Sequence, residues 1–279
     1  MTAILSLISA LLYGIADFAG GHATRKNSVF SVMLVTQAVG ALVALAAARI
    51  MGPNAPSLAD LAWGFVGGAA GCLGVAALYR GLSEHTAAIV SPLSALVGAV
   101  LPAIFGAVLG ERPSGLALIG AALCLPAILL LAYERGETAD LKKLKASFLF
   151  GLLAGLGFGG FFIAVSRSAS GSGLWPLLAA RFSSFGIIAG ILLFGRKRLS
   201  VARSDIPTAV FAGAADMAAN VFFLLATRTG LLILATLITS LYPAPTVMLA
   251  RLVHGQRISL PRAVGIALAL AGVALIGLR

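Results

Sequence analysis

Ten apolar runs of about 20 residues, separated by short polar gaps, constrain this chain more than any other feature. A helix rises ~1.5 Å per residue, so ~20 residues cross a hydrocarbon core of ~30 Å. Runs of that length, with the charges confined to the gaps, predict membrane-spanning helices. They fall near 3–21, 29–50, 61–82, 86–109 and 114–133, then near 147–167, 174–195, 206–226, 231–250 and 260–278. Only 10% of residues are charged, against about 25% in an average soluble domain. That is too few to cover the surface of a soluble fold. A transmembrane barrel is excluded as well, because its strands read as ~10-residue alternating segments. The run 87–109 is continuous and apolar instead.

The two halves resemble each other. Sliding residues 66–130 forward by 145 positions places them on 211–275 without a gap. Gly68, Ala69 and Ala70 then meet Gly213, Ala214 and Ala215, and Gly110 and Arg112 meet Gly255 and Arg257. Ser114 and Gly120 meet Ser259 and Gly265. The first spans align at an offset of 141, with Leu11, Leu12 and Gly14 on Leu152, Leu153 and Gly155. Five is an odd number of crossings, so the second half enters the membrane upside down relative to the first. The expected fold is all-α, with ten transmembrane helices in two inverted five-helix repeats. Residues 1–133 form the first repeat, 134–146 a charged connecting loop, and 147–279 the second repeat. Transporters commonly use this architecture and hold solute at the midplane between the repeats.

The formal net charge of +11 reads as basic loops facing the cytoplasm. With both termini outside, the inner gaps hold 14 Lys and Arg residues and the outer gaps five, with Arg181 inside a span. The count predicts a multi-pass plasma (inner) membrane protein with both termini outside. The first span starts at about Ala3 without a basic leader and reads as retained. No nucleic-acid motif accompanies the charge. Cys72 and Cys124 lie inside apolar runs and form no zinc spacing. His22, His85 and His254 are far apart at span ends. HExxH, Walker A and GxSxG patterns are all missing, so no enzyme activity, metal or cofactor is expected. The expected partners are the lipid bilayer and a small-molecule solute, with protons as a candidate coupling ion. A monomer would suffice.

Small residues four apart let helix backbones approach closely. Gly64, Gly68 and Cys72 have this spacing, as do Gly151, Gly155 and Gly159, and Gly186 with Gly190. Prolines lie inside spans four (Pro92, Pro102) and nine (Pro243, Pro245). Proline removes a backbone donor, and broken helices at matching places in two halves point to a binding site. A plain kink is the competing reading.

Ionisable residues at membrane depth cost ~2.5–3.5 kcal/mol each on insertion scales, so they face a cavity or a partner. Asp17 follows Tyr13 by four residues on one face of span one, and Asp216 is followed by Asn220 in the same way on span eight. Either carboxylate could carry a proton or hold a substrate amine, and a structural pair with Arg181 is the alternative. Arg80 lies near a span end and can snorkel to the headgroups. Ser91 and Ser94 on span four match Thr236 and Thr239 on span nine at the offset of 145, giving each a hydroxyl stripe. These groups could bind polar solute atoms, or bond back to their own helix carbonyls. Tyr79 and Tyr242 are candidate wall residues, or interfacial anchors.

The motif Leu109-Gly110-Glu111-Arg112-Pro113-Ser114, followed by Gly120, resembles the "lGE" turn of EamA-type transporters of the drug/metabolite transporter superfamily. The second copy, His254-Gly255-Gln256-Arg257-Ile258-Ser259 before Gly265, departs from that pattern at Gln256. Leu241-Tyr242-Pro243 and Tyr13-Gly14-Ile15-Ala16-Asp17-Phe18 resemble the family's ninth-span and first-span motifs. The resemblance implies a secondary active transporter, an exporter of amino acids, metabolites or drugs working by alternating access. It implies a cavity walled by spans one, three, four, six, eight and nine. On those spans lie the expected substrate-binding residues Tyr13, Asp17, Tyr79, Ser91, Ser94, Asp216, Asn220, Thr239 and Tyr242, with Asp17 and Asp216 as coupling candidates. Arg181, on span seven, stands outside that set. A passive facilitator of similar solutes is the alternative, and a membrane-embedded enzyme is least favoured.

Overall fold

The computed structural model describes residues 1–50, 56–84, 87–132, 141–195, 200–254 and 258–277. The elements are α1 (Thr2–Thr24), α2 (Val29–Ile50), α3 (Leu58–Glu84), α4 (Ala87–Val108), α5 (Gly115–Ala132), α6 (Leu141–Ser166), α7 (Trp175–Phe194), α8 (Ile206–Thr229), α9 (Leu232–Thr239), α10 (Pro243–His254) and α11 (Leu260–Gly277). Ten of the segments they form are long and apolar enough to cross a membrane, with α9 and α10 together making the ninth. Helices exceed several predicted spans: α6 starts at Leu141 and α3 runs to Glu84. Intrahelical hydrogen bonding does not stop at the hydrocarbon edge, whereas an apolar run does.

The repeats are interlocked. The first helix of each repeat packs on the third and fourth helices of the other: α1 lies against α8, α9 and α10, and α6 against α3 and α4. The second helices cross over too, α2 packing on α8 and α7 on α3, while α5 and α11 pair with each other. Glycine makes these crossings possible. A Cβ on Gly68 would strike the Ala180 backbone, and one on Gly213, its repeat mate, would strike the Thr36 backbone. Gly14 lies against Pro245 and the Tyr242 carbonyl, and Gly155 lies in the matching place against Val97 and the Ser94 carbonyl. The offsets read in the sequence are thus contacts in space. The Gly64–Gly68–Cys72 stripe is the seam with α7, where Gly64 meets the Pro176 backbone and the Ser184 hydroxyl donates to the Gly68 carbonyl at 2.9 Å.

The first and last described residues lie on one face, the terminal face, since Met1, Thr2, Gly115, Gly230, Leu231, Ile276 and Gly277 line one depression there. The opposite face carries the α1–α2 and α7–α8 connections, joined where the Asn27 amide donates to Asp205 at 2.7 Å and accepts from the Ala202 N–H. Near the terminal face a cluster of Phe162, Phe223, Ala226, Leu232 and Ala235, with Leu5, Tyr13, Phe105 and Phe161 against it, joins five helices. It fills the space between the two sub-bundles, α1–α8–α9 and α3–α4–α6.

Paired breaks in spans four and nine are not what forms. Only span nine breaks, at residues 240–242, between α9 and α10. α4 continues through Pro92 and Pro102. Those prolines are a decade of residues apart, and each removes one hydrogen bond that the rest of the helix outlasts. In span nine, Pro243 and Pro245 fall together and α10 restarts on Pro243, where the missing N–H is needed by no helical carbonyl. The connecting loop at 134–146 lies largely outside the described residues, as do His85 and the Gly255, Gln256 and Arg257 turn.

Candidate functional site

The break in span nine needs an N-terminal partner for α9, because the first N–H groups of a helix have no intrahelical acceptor. Glu111 supplies it from the other repeat. Its two carboxylate oxygens accept the N–H groups of Leu232 at 2.8 Å and Ile233 at 3.0 Å. Gly110, at φ +88, turns the chain so that Glu111 can reach back. The "lGE" motif therefore acts here as a cap that holds a half-helix across the repeat interface.

The span that carries Tyr242 is thereby fixed against α1. The Tyr13 and Tyr242 rings meet edge to face with centroids 6.3 Å apart, and Tyr13 meets Phe162 at 6.4 Å. Phe162 continues to Phe223 at 4.4 Å and Phe161 at 5.7 Å. These rings floor the space between the sub-bundles on the terminal side.

One helical turn further from the terminal face, Asp17 extends from the same side of α1 as Tyr13. It is exposed, and among the described residues none gives its carboxylate a hydrogen bond or an ion pair. Asp216, Tyr13 and Tyr242 are within electrostatic range of it. Gly21, the next residue along this face, has open space around it. We read this face, with Asp17 and Gly21 exposed beyond the buried aromatic rings, as a recess whose mouth lies away from the termini.

Arg181 enters this region from α7. Its guanidinium donates to Asp216 at 2.6 Å and to the Gln37 amide oxygen at 2.8 Å, with Nε 3.3 Å from the Met217 sulfur. Gly40, three residues after Gln37, leaves room for its stem: a Cβ there would come within 3.2 Å of Cδ. A desolvated charge in a membrane protein requires such a partner. The pair is asymmetric, for the Arg181 side chain is 10% exposed and that of Asp216 34%. Asp216 thus faces the recess while Arg181 is buried behind it. Asn220 donates to the Asp216 backbone carbonyl at 2.7 Å, and its own amide oxygen is buried with no partner among the described residues.

The sequence-predicted residues therefore divide. Tyr13, Asp17, Asp216 and Tyr242 come together, with Asn220 one turn behind Asp216. The hydroxyl stripe goes elsewhere: Ser94 and Thr239 are buried in helix packing, and Thr236 donates to its own helix at the Leu232 carbonyl. Ser91 is half-buried on α4. The Tyr79 side chain lies outside the described residues. Arg181, set aside because of its span, is the centre of the polar network. Gln37 was not singled out at all. Its signal was a lone amide inside span two, one turn from a glycine.

The matching positions in the other sub-bundle are apolar. At the same offsets Asp17 corresponds to Phe158, Tyr13 to Ala154 and Tyr242 to Val97. The polar half of the recess thus belongs to α1, α7, α8 and the span-nine break, while α6 contributes aromatic rings.

Comparison with known proteins agrees with this architecture. A family model described as the EamA-like transporter family matches residues 1–133 and again 145–278. A protein of known crystal structure superposes with a TM-score of 0.81 at 18% identity, over 99% of this chain and 98% of that one, a likeness of fold. No curated protein matches the sequence. With two family repeats covering almost its whole length in a ten-helix membrane fold, this chain belongs to the EamA-like transporter family.

Proposed function

We propose that this transporter is a secondary carrier that exports small polar organic solutes, amino acids and related metabolites among them, by alternating access. The observation that carries the reading is a carboxylate, Asp17, that has no hydrogen-bond or ion-pair partner among the described residues and lies beside two tyrosines in a recess between pseudo-symmetric sub-bundles. An exposed carboxylate with no protein partner suits an amine or a proton, each of which would satisfy it in turn. Tyr13 and Tyr242 would flank the solute, and Asp216, held by Arg181 and Gln37, would form the far wall. The Phe162–Phe223 cluster and the Glu111 cap would close the terminal side. Rocking of α1–α8–α9 against α3–α4–α6 along the glycine seams would open that side and close the other. The lysine and arginine count favours an open face that is cytoplasmic, which suits a carrier loading for export.

The test is uptake of a labelled amino-acid and metabolite panel by proteoliposomes, with and without an imposed pH gradient. The proposal expects saturable uptake that the gradient drives and that Asp17→Asn abolishes. Saturable uptake indifferent to the gradient would identify a passive facilitator. Uptake unchanged in Asp17→Asn would remove the recess from the mechanism.

A further inference from the structure

Charge in the recess restricts what can occupy it. Two carboxylates, Asp17 and Asp216, and one guanidinium, Arg181, meet there. The guanidinium is committed to Asp216 and Gln37 and is 10% exposed, so it offers no fork to an incoming carboxylate. Among the described residues that leaves one uncompensated negative charge in the recess, on the exposed Asp17. Tyr13 and Tyr242 stand beside it, and aromatic faces attract cations. Phe161 is half-buried, while Phe162 and Phe223 are buried and back the ring cluster away from the carboxylate.

Resting on the carrier reading above, we infer that the solute is an organic monocation: a protonated amine on an apolar, preferably aromatic, body. Its ammonium lies between the Asp17 carboxylate and the two tyrosine rings, and its body lies toward the phenylalanines. A zwitterionic amino acid fits less well. Its carboxylate would sit near Asp17 and Asp216 with Arg181 already paired, and like charges in a poorly hydrated site repel strongly. An uncharged analogue leaves Asp17 unneutralised. The class is thus narrower than polar organic solutes, and it places amines ahead of the amino acids they resemble.

The experiment is equilibrium dialysis of the full-length protein in nanodiscs with three labelled probes of one shape: phenethylammonium, phenylalanine and 2-phenylethanol. Tetramethylammonium and putrescine compete against the first. Saturable phenethylammonium binding is expected, with phenylalanine and 2-phenylethanol weaker by roughly tenfold or more. Asp17→Asn should lose at least about tenfold and Asp17→Glu much less. Tyr242→Ala should bind more weakly, with size-exclusion profiles confirming that each variant is folded. Phenylalanine binding as tightly as phenethylammonium overturns the inference. So does phenethylammonium binding unaffected by Asp17→Asn, or no saturable binding of phenethylammonium. Cation binding without proteoliposome uptake of any solute would sink the carrier reading and leave the cation site. Asp17-dependent uptake of amino acids without cation binding would do the reverse.

Discussion

Arg181 shows how a single charge is accommodated at membrane depth. Its guanidinium reaches α2 through Gln37 and α8 through Asp216, and Gly40 makes way for it. Removing one member of such a pair leaves the other charge uncompensated. Asp216→Asn should therefore destabilise the protein by roughly 2–3 kcal/mol, below the 3–5 kcal/mol of a fully buried pair because Asp216 is a third exposed. The double variant Asp216→Asn with Arg181→Gln should be less destabilised than the sum of the singles, as thermal unfolding in detergent would report. Equal and additive losses would mean the two side chains act separately. The need for a partner was legible in the sequence, because an arginine seven residues into a span must be satisfied. The choice of partner was not, since Asp17 and Asp216 were both eligible and only the packing of α7 and α8 together against α2 separates them. The stripe at Ser91, Ser94, Thr236 and Thr239 was legible as a shared face. Whether such a face lines a cavity or packs depends on its neighbours, and Thr236 turns to its own carbonyl.

Among elements, the broken ninth span depends most on a distant residue. Glu111→Ala should free two N–H groups of α9 and cost about 1–2 kcal/mol, the usual worth of a helix cap. Glu111→Gln, with one amide oxygen in place of two carboxylate oxygens, should fall between, and differential scanning fluorimetry can rank the three proteins. Gly110→Ala, at φ +88, should add a further ~1 kcal/mol of backbone strain. The glycine seams make a sharper prediction. Gly68→Val places a branched side chain into the Ala180 backbone, so the helices must separate, at a cost of about 3 kcal/mol or more. Gly186→Val, where nothing lies within 4 Å, should be tolerated within about 0.5 kcal/mol. Monodispersity and yield in detergent would show the difference. Both glycines belong to four-residue spacings in the sequence. Spacing alone did not say which faces a helix and which faces lipid, because that depends on the crossing and not on the period. Likewise, proline content marked spans four and nine alike. Clustering of Pro243 and Pro245, with an acidic cap available at the α9 start, is what separates the broken helix from the continuous one.

At the scale of the whole molecule, length and repeat did most of the work. Twenty-residue runs gave ten spans, an odd number per half gave inversion, and the offsets of 141 and 145 reappear as Gly14–Tyr242 against Gly155–Val97, while Gly68 and its repeat mate Gly213 both meet a backbone of the other repeat. The asymmetry of the recess is a departure from that symmetry. One sub-bundle carries Asp17, Asp216 and Tyr242, and the other carries Phe158, Gly71 and Val97 in the matching places. On the proposed carrier reading, the polar half would recognise the solute and the apolar half would slide against it.

Sided labelling tests the central claim, a recess that is closed at the terminal face and visits both sides. With Cys72 and Cys124 replaced, single cysteines at positions 21 and 5 would be exposed to a membrane-impermeant thiol reagent in proteoliposomes of known orientation. Gly21→Cys lies at the mouth in open space, and Leu5→Cys lies in the aromatic plug. The account predicts rapid labelling of Gly21→Cys from the face opposite the termini alone. It predicts slow labelling of Leu5→Cys from the terminal face, slowed further when a cross-link holds the mouth open. Labelling of Gly21→Cys at equal rates from both faces would indicate a continuous pore, and protection of both positions from both faces would indicate a packed core with no recess. Either result would contradict the carrier described here.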